Sequence, residues 1–582
     1  MTVMAPSRPS PRRPTWTPPT RISSAIFAAK VAVFRVRRAA RDQAAGLPCL
    51  ARAEADGFTV TVGESITPLW SDETLAERAY QLGKVHNLRA ACRHLDGLVI
   101  PAAAVFSFWR HVGPPITARG FVNGRMLQQG CMVPAVGGGL CQLSNALYDA
   151  ALQAGCAIFE RHPHSRIVPG SAAAWGRDAT VAWNYVDLRF APAKDLRLTA
   201  RLDRDRLVIR LLGRADVQPS EPTSPDAAVP PDAAARSCAS CDETECFLHE
   251  QSERAAPAVP GRRAFLVDEA WPEFQAHVGQ AHTPEDRLGL PLDGVRLHLP
   301  RYAWHTTGFE RTAHAPVATL RRTAAQRSAG LQGAARRGAE LEAAERIAAV
   351  LARRLLTQDV TALTVAQSYL PFLWRAGCLG GREVSVLMTR LPMAVLQARL
   401  DAAASAHPDR ATLADFRAPA WLIEAEAAAL AEAAQIITPH AQIAALFGER
   451  AVHVPWQVPP VGQRLPVVPR SIAFPGPTVE RKGAHALREA ARTLDLEILP
   501  LCAELEGPDF WQGIRTSTTD WRTAAAVVQP ALVEDQPRRL LAALAIGIPV
   551  IATPACGLAP QPGLTLVPAD DVGALVAALQ RF

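Results

Sequence analysis

Apolar and polar positions change rhythm several times along the chain, and the changes divide it. "GFTVTV" at 57–62 alternates and predicts a strand, "SDETLAERAYQLGKVHNLRAACRHLDG" at 71–97 has helical spacing, and "VFSFW" at 105–109 reads as an apolar strand. "TVAWNYVDLRF" (180–190) and "LRLTARLDRDRLVIRLLG" (196–213) return to period two and predict strands of an antiparallel sheet. This region closes near Gly213, and "ADVQPSEPTSPDAAVPPDAAARS" follows as a linker.

Beyond the linker the texture changes. "RAFLVDEAW" predicts a first strand, Ala/Arg/Glu-rich stretches at 318–356 and 393–435 predict helices, and "QIITPH" (435–440) reads as a strand end. From 471 onward strands and helices alternate to the terminal helix "DVGALVAALQRF", the rhythm of parallel α/β layers. The expected fold is therefore multi-domain, an α+β domain followed by an α/β pair of Rossmann-type domains. Its boundaries are a basic, partly disordered arm (1–56), a first domain (57–213), a linker (214–262) and two α/β domains (263–455 and 456–582).

A length of 582 residues exceeds what one core supports, and 49% hydrophobic with 20% charged residues suits globular domains. The net charge of +7 is modest but uneven. Residues 1–50 contain Arg8, Arg12, Arg13, Arg21, Lys30, Arg35, Arg37, Arg38 and Arg41 against the single acid Asp42. Within this arm, "RISSAIFAAKVAVFRVRRAAR" fits a basic amphipathic helix suited to peripheral contact at an inner membrane face. The longest uncharged run, Leu540–Ala569, is broken by Pro549, Pro554, Pro560, Pro562 and Pro568, so it predicts helix, turn and buried strand rather than a membrane span. Eleven scattered cysteines, and no secretory pattern in the first residues, lead us to expect a cytoplasmic protein with reduced thiols.

Three segments carry candidate chemistry. In "AVGGGLCQLSNALYDAALQAG" (135–155), Leu143, Ala146, Leu147, Ala150, Ala151 and Ala154 fall at helical spacing behind Gly137–Gly139, which places Cys141 at a helix start. A helix N-terminus favours a thiolate. Downstream, His162 and His164 are expected on one face of a strand, and Asp178 precedes another. Cysteine, histidine, carboxylate is the chain order of papain-like and transglutaminase-like nucleophiles, with Cys141, His164 and Asp178 as candidates. A buried apolar cysteine beside a packing turn is the alternative. The second segment, "CASCDETECFLH", sets Cys238, Cys241, Cys246 and His249 within twelve residues. Zinc in a small clip, an iron–sulfur centre, and plain reduced thiols all remain open for it.

The motifs "KVHNLRAACRHLDGLVIPAAAVFSFWRHVG", "RGFVNGR", "GGGLCQLSNALYDAAL", "ERHPHSRIVPG" and "GRDATVAWNYVDLRF" together resemble the VanW family over about 84–213. The matching positions are Phe106, Ser107, Gly113, Gly120, Gly137–Gly139, Cys141, Gln142, Ser144, His162, His164 and Asp178. The family is named for an accessory protein of glycopeptide-resistance gene clusters, so the resemblance implies a cell-envelope or peptidoglycan connection. The third segment, "FPGPTVERKGAHALREAA" with "VVQPALVEDQPRRLLAALAIGIPVIATPACGL", resembles the C-terminal domain of retaining glycosyltransferases of the GT-B fold. That resemblance implies a nucleotide-sugar donor, held by Gly476, Lys482, Gly483 and Glu534. Two positions depart from it: Pro477 stands where the family has arginine, and Ala542 stands at the second acidic position. The leading expectation is glycosyl transfer to an envelope or polysaccharide acceptor. Thiol-dependent acyl or peptide-bond chemistry and a non-catalytic envelope-binding role are the alternatives.

Overall fold

The computed structural model describes residues 20–53, 57–70, 75–128, 131–164, 176–217, 236–237, 261–330 and 333–582. They fall into two units, Met1–Pro260 and Gly261–Phe582. Cys238, Cys241, Cys246 and His249 lie outside the described residues, and among those described no group of metal-ligating side chains gathers.

The first described element is helix α1 (Arg21–Ala44), which holds the basic amphipathic segment expected to be helical. Strand β1 (Val60–Pro68), helix α2 (Leu75–Leu95), strands β2 (Val99–Ile100) and β3 (Phe106–Ser107) and helix α3 (Phe108–Val112) follow. Next come β4 (Asn123–Gln128), β5 (Cys131–Val136), helix α4 (Leu140–Gln153), β6 (Ala157–Glu160), β7 (Arg189–Ala191), β8 (Leu196–Leu202), β9 (Arg206–Gly213) and β10 (Arg236–Ser237). The period-two segment is the β8–β9 hairpin, central in an antiparallel sheet ordered β1-β9-β8-β2. Its Leu196, Leu198, Ala200 and Leu202 face inward, as alternation requires. Leu88 and Leu95 of α2 and Leu143, Leu147 and Ala150 of α4 bury in the same core. Two smaller sheets, β10-β5-β4 and β3-β7-β6, complete the unit.

Two expected strands are shorter than the pattern suggested. In "VFSFW" only Phe106–Ser107 is strand, because Ser107 caps α3 through the Arg110 amide and donates to Asp187 (2.6 Å). In "TVAWNYVDLRF" a turn closed between Ala182 and Val186 interrupts the alternation, leaving Arg189–Ala191 as strand.

The second unit holds two parallel sheets. The first contains β11 (Arg262–Leu266), β12 (Arg287–Leu290), β13 (Arg311–His314), β14 (Val360–Ala366), β15 (Glu383–Leu387), β16 (Gln435–Thr438) and β17 (Ala451–His453), in the order β13-β12-β11-β14-β15-β16-β17. The segment "QIITPH" is thus followed by one more strand in its sheet rather than ending it. The second contains β18 (Val468–Phe474), β19 (Glu497–Pro500), β20 (Arg515–Thr516), β21 (Ala524–Gln529), β22 (Val550–Ala552) and β23 (Leu564–Leu566), ordered β20-β19-β18-β21-β22-β23. Both orders reverse direction at the first strand, the doubly wound arrangement that opens a ligand crevice at the carboxyl ends. Arg538 joins the two halves through a forked pair to the buried Glu273 (2.5 and 2.6 Å). The uncharged run Leu540–Ala569 becomes helix, strand and loop, and no described helix is long and apolar enough to cross a membrane.

Gly83 shows how tightly α2 seats on β4. A Cβ there would lie 1.8 Å from the Asn123 carbonyl oxygen, a backbone atom that cannot swing aside. We expect Gly83→Ala to cost at least ~2 kcal/mol of stability, read as a lower denaturation midpoint for the first unit.

Candidate functional site

The site in the first unit is assembled by α4. Gly139 forms its N-cap at φ 101°, a left-handed backbone, and Cys141 follows in the first turn. The turn is held from α2, whose buried Asn87 donates to the carbonyls of Gly138 and Val122 (both 2.9 Å) and accepts from the Val122 amide (2.9 Å). One turn further along α4, Ser144 donates to the Ala179 carbonyl, while Asn145 Oδ1 accepts from the Ala179 amide (2.7 Å). Arg161 grips the preceding carbonyl, that of Asp178 (2.6 Å). The helix bearing Cys141 therefore also fixes the segment bearing Asp178.

Strand β6 ends at Glu160, so His162 and His164 lie beyond it rather than sharing a strand face. Their surroundings differ accordingly. His162 is exposed: its ring meets Glu160 (3.2 Å) and its carbonyl accepts from the Thr180 amide (2.7 Å). His164 is mostly buried, and the carboxylate of Asp178, itself buried, accepts from both its Nδ1 and its backbone amide. Cys141 lies close enough to help raise the His164 imidazole, while its Sγ donates to the Val181 carbonyl (3.9 Å). The structure thus pairs His164 with Asp178 and sets Cys141 beside them.

In the second unit, Lys482 ends a 3-10 turn and Gly483 (φ 80°) begins the helix Ala484–Leu494. Lys482 Nζ donates to the Val533 carbonyl and to Glu534 Oε2, both at 3.0 Å. Glu534 Oε1 accepts from the amides of Asp535 (2.9 Å) and Gln536 (2.8 Å). The two side chains expected to hold a donor therefore neutralise each other. Beside them, Gln529 Nε2 is buried with no hydrogen-bond partner among the described residues, and it stands 2.8 Å from where a Cβ on Gly476 would be. Ala542 is buried on the helix Arg538–Ala545 and carries no polar group. A cavity of about 420 Å³ opens nearby, lined by Arg399, Gln442, Leu532, Thr553, Ala555 and Asp570 among others.

Residues 83–212 match the family model described as "VanW like protein". A relative from Enterococcus faecalis, the vancomycin B-type resistance protein VanW, is 30% identical over 178 residues, covering 28% of this chain and 63% of its own. Residues 83–212 are a VanW-like domain. An uncharacterised Bacillus subtilis protein, YoaR, is 36% identical over 105 residues, or 18% of this chain and 34% of that one. The chain thus spans less than two thirds of either relative. Solved structures similar in fold to the C-terminal part include a sucrose-phosphate synthase from Thermosynechococcus elongatus (15% identity, 55% of this chain and 89% of that one, TM-score 0.35). Another is WaaG, a glycosyltransferase involved in lipopolysaccharide biosynthesis (13% identity, 55% and 90%, TM-score 0.33). Scores this low do not bear on function.

Within the VanW-like domain, spacing alone does not point to Asn87, Asn145 or Arg161, because each acts on backbone far along the chain. Ser144 was visible only as part of the family resemblance. Burial disfavours charge on His164, but its hydrogen bonds to Asp178 and Cys141, and their charges, outweigh this and lift it from 6.5 to about 10. A raised value in the folded state means that the charged ring stabilises the fold fully below pH 6.5. That contribution fades as pH rises and is gone above about 10. The melting temperature of His164→Gln should accordingly lie furthest below that of the unaltered chain near pH 6 and converge with it above pH 10. Parallel thermal melts across this range check the expectation.

Proposed function

We propose that the VanW-like domain carries out nucleophilic thiol chemistry on an acyl or peptide bond of a cell-envelope substrate. The supporting observation is the His164–Asp178 pair together with Cys141 in the first turn of α4. Cys141 passes its proton to His164 as Sγ attacks the carbonyl carbon, and the positive end of α4 faces the charge that develops there. As the bond to the leaving amine breaks, His164 delivers a proton to that amine, and a thioester to Cys141 remains. A water or second amine then attacks the thioester and yields its proton to His164. The carbon–sulfur bond breaks and Cys141 is regenerated. Asp178, bound at Nδ1, keeps the other ring nitrogen turned to the thiol. The name of the Enterococcus faecalis relative, a vancomycin resistance protein, is the support for an envelope substrate.

Iodoacetamide labelling followed by peptide mapping tests this reading, with the exposed Cys49 and Cys502 as internal references. Cys141 should react faster than either, and Asp178→Asn should slow it at least ~10-fold without altering the references. A Cys141 that reacts no faster than Cys49, and is indifferent to Asp178→Asn, removes the reading.

A second reading belongs to the C-terminal unit, where the unpartnered Gln529 amide beside Gly476 and Lys482 favours a polar ligand. We infer a nucleotide-sugar there, for glycosyl transfer to an envelope or polysaccharide acceptor. Its diphosphate would take Lys482 from Glu534 and accept from Gln529, while the helix behind Gly483 presents backbone amides. With Pro477 and Ala542 in place of a cation and an acid, the site has fewer holds than the resemblance implies. Titration calorimetry with uridine diphosphate should show binding that Gln529→Leu weakens ~10-fold, the order of one hydrogen bond to a charged group. An absence of heat at millimolar ligand counts against this second reading alone.

A further inference from the structure

Helix α1 lies on the first unit by one face only. Arg38 forks onto the Glu160 carboxylate and also donates to the Tyr185 carbonyl (3.1 Å), Arg35 donates to the Trp183 carbonyl (2.8 Å), and Asp42 accepts from Arg189 (2.8 and 2.9 Å). Phe34 stacks on Tyr185. These attachments follow helical spacing along one side.

The opposite side is different in kind. Ile22, Ile26, Ala29, Val33, Val36 and Ala40 recur at intervals of four, three, four, three and four residues, a continuous apolar line on one face. It is not packed against the domain: Ile22 is 73% exposed, Ile26 53%, Val33 57% and Val36 69%. Along one flank of that line run Lys30, Arg37 and Arg41. The helix's single acid, Asp42, is already held by Arg189.

We propose that this outward stripe docks on an anionic lipid surface, with α1 lying in the interface and the VanW-like domain behind it. Apolar side chains enter the headgroup boundary, and the flanking cations meet lipid phosphates. Charge selects this occupant over a second copy of the chain. Self-pairing of α1 brings no free carboxylate to Lys30, Arg37 or Arg41, whereas an anionic bilayer supplies one charge after another along the helix, whose 24 residues span about 36 Å. The helix lies on the surface rather than crossing it, since its charges rule out a span. This proposal does not depend on either reading of catalysis.

Cosedimentation of the full chain with vesicles tests it, comparing phosphatidylcholine alone with phosphatidylcholine containing phosphatidylglycerol. The chain should pellet with the anionic vesicles, far less with the neutral ones, and progressively less as salt rises. The double substitution Ile26→Asp and Val33→Asp should reduce pelleting ~10-fold or more. Because both side chains are exposed, its thermal melt should be unchanged. Failure of the unaltered chain to pellet with anionic vesicles overturns the proposal, as does equal pelleting of the double variant. Sedimentation equilibrium supplies the remaining arm: a dimer that the double variant abolishes assigns the stripe to a second copy and overturns the lipid assignment.

Discussion

The first unit depends on the grip of Ser144 and Asn145 on the backbone of Ala179. Both groups are buried, so their hydrogen bonds are made in a medium where leaving them unmade costs about 1–3 kcal/mol each. The grip brings a segment with little regular structure against a helix that begins with a thiol. Everything distinctive about the site follows from that. Asp178 is turned toward His164, and His164 is held at both its backbone and its ring. On the other side of α4, Asn87 satisfies three backbone groups at the glycine turn, so the helix start is positioned from before as well as from beyond.

The second unit is organised by charge in a different way. Its two doubly wound halves are tied by Arg538 and the buried Glu273, and a further pair, Arg410 with Glu480, closes on the turn that precedes Lys482. Lys482 and Glu534 are each other's partners at the mouth of the loop.

The alternation of strands and helices after 471 was legible because buried parallel strands and amphipathic helices have different periods, and neither is disguised by function there. Cys141 at a helix start was legible for a similar reason: glycines, then three-and-four spacing. His162 and His164 were not separable, since alternation placed them on a common face, and only the end of β6 at Glu160 parts them. "VFSFW" misled because a serine cap inside an apolar run outweighs the run itself. The extra strand Ala451–His453 is three residues long, too short for any period to declare itself. Asn87 and Asn145 were hidden most completely, because a buried amide that clamps backbone 51 or 34 residues away leaves no local pattern.

Those separations also bear on time. The contacts around the thiol, Asn87 to Gly138, Asn145 to Ala179 and His164 to Asp178, each close a loop, the last nested within the second. Chains rich in non-local closures fold more slowly than chains of local contacts. During synthesis Cys141 emerges before His164 and Asp178, and their segment returns to α4 only after the ribosome has passed residue 179. The order of residues along the chain thereby keeps the sulfur without its imidazole and carboxylate partners until the VanW-like domain has closed around it.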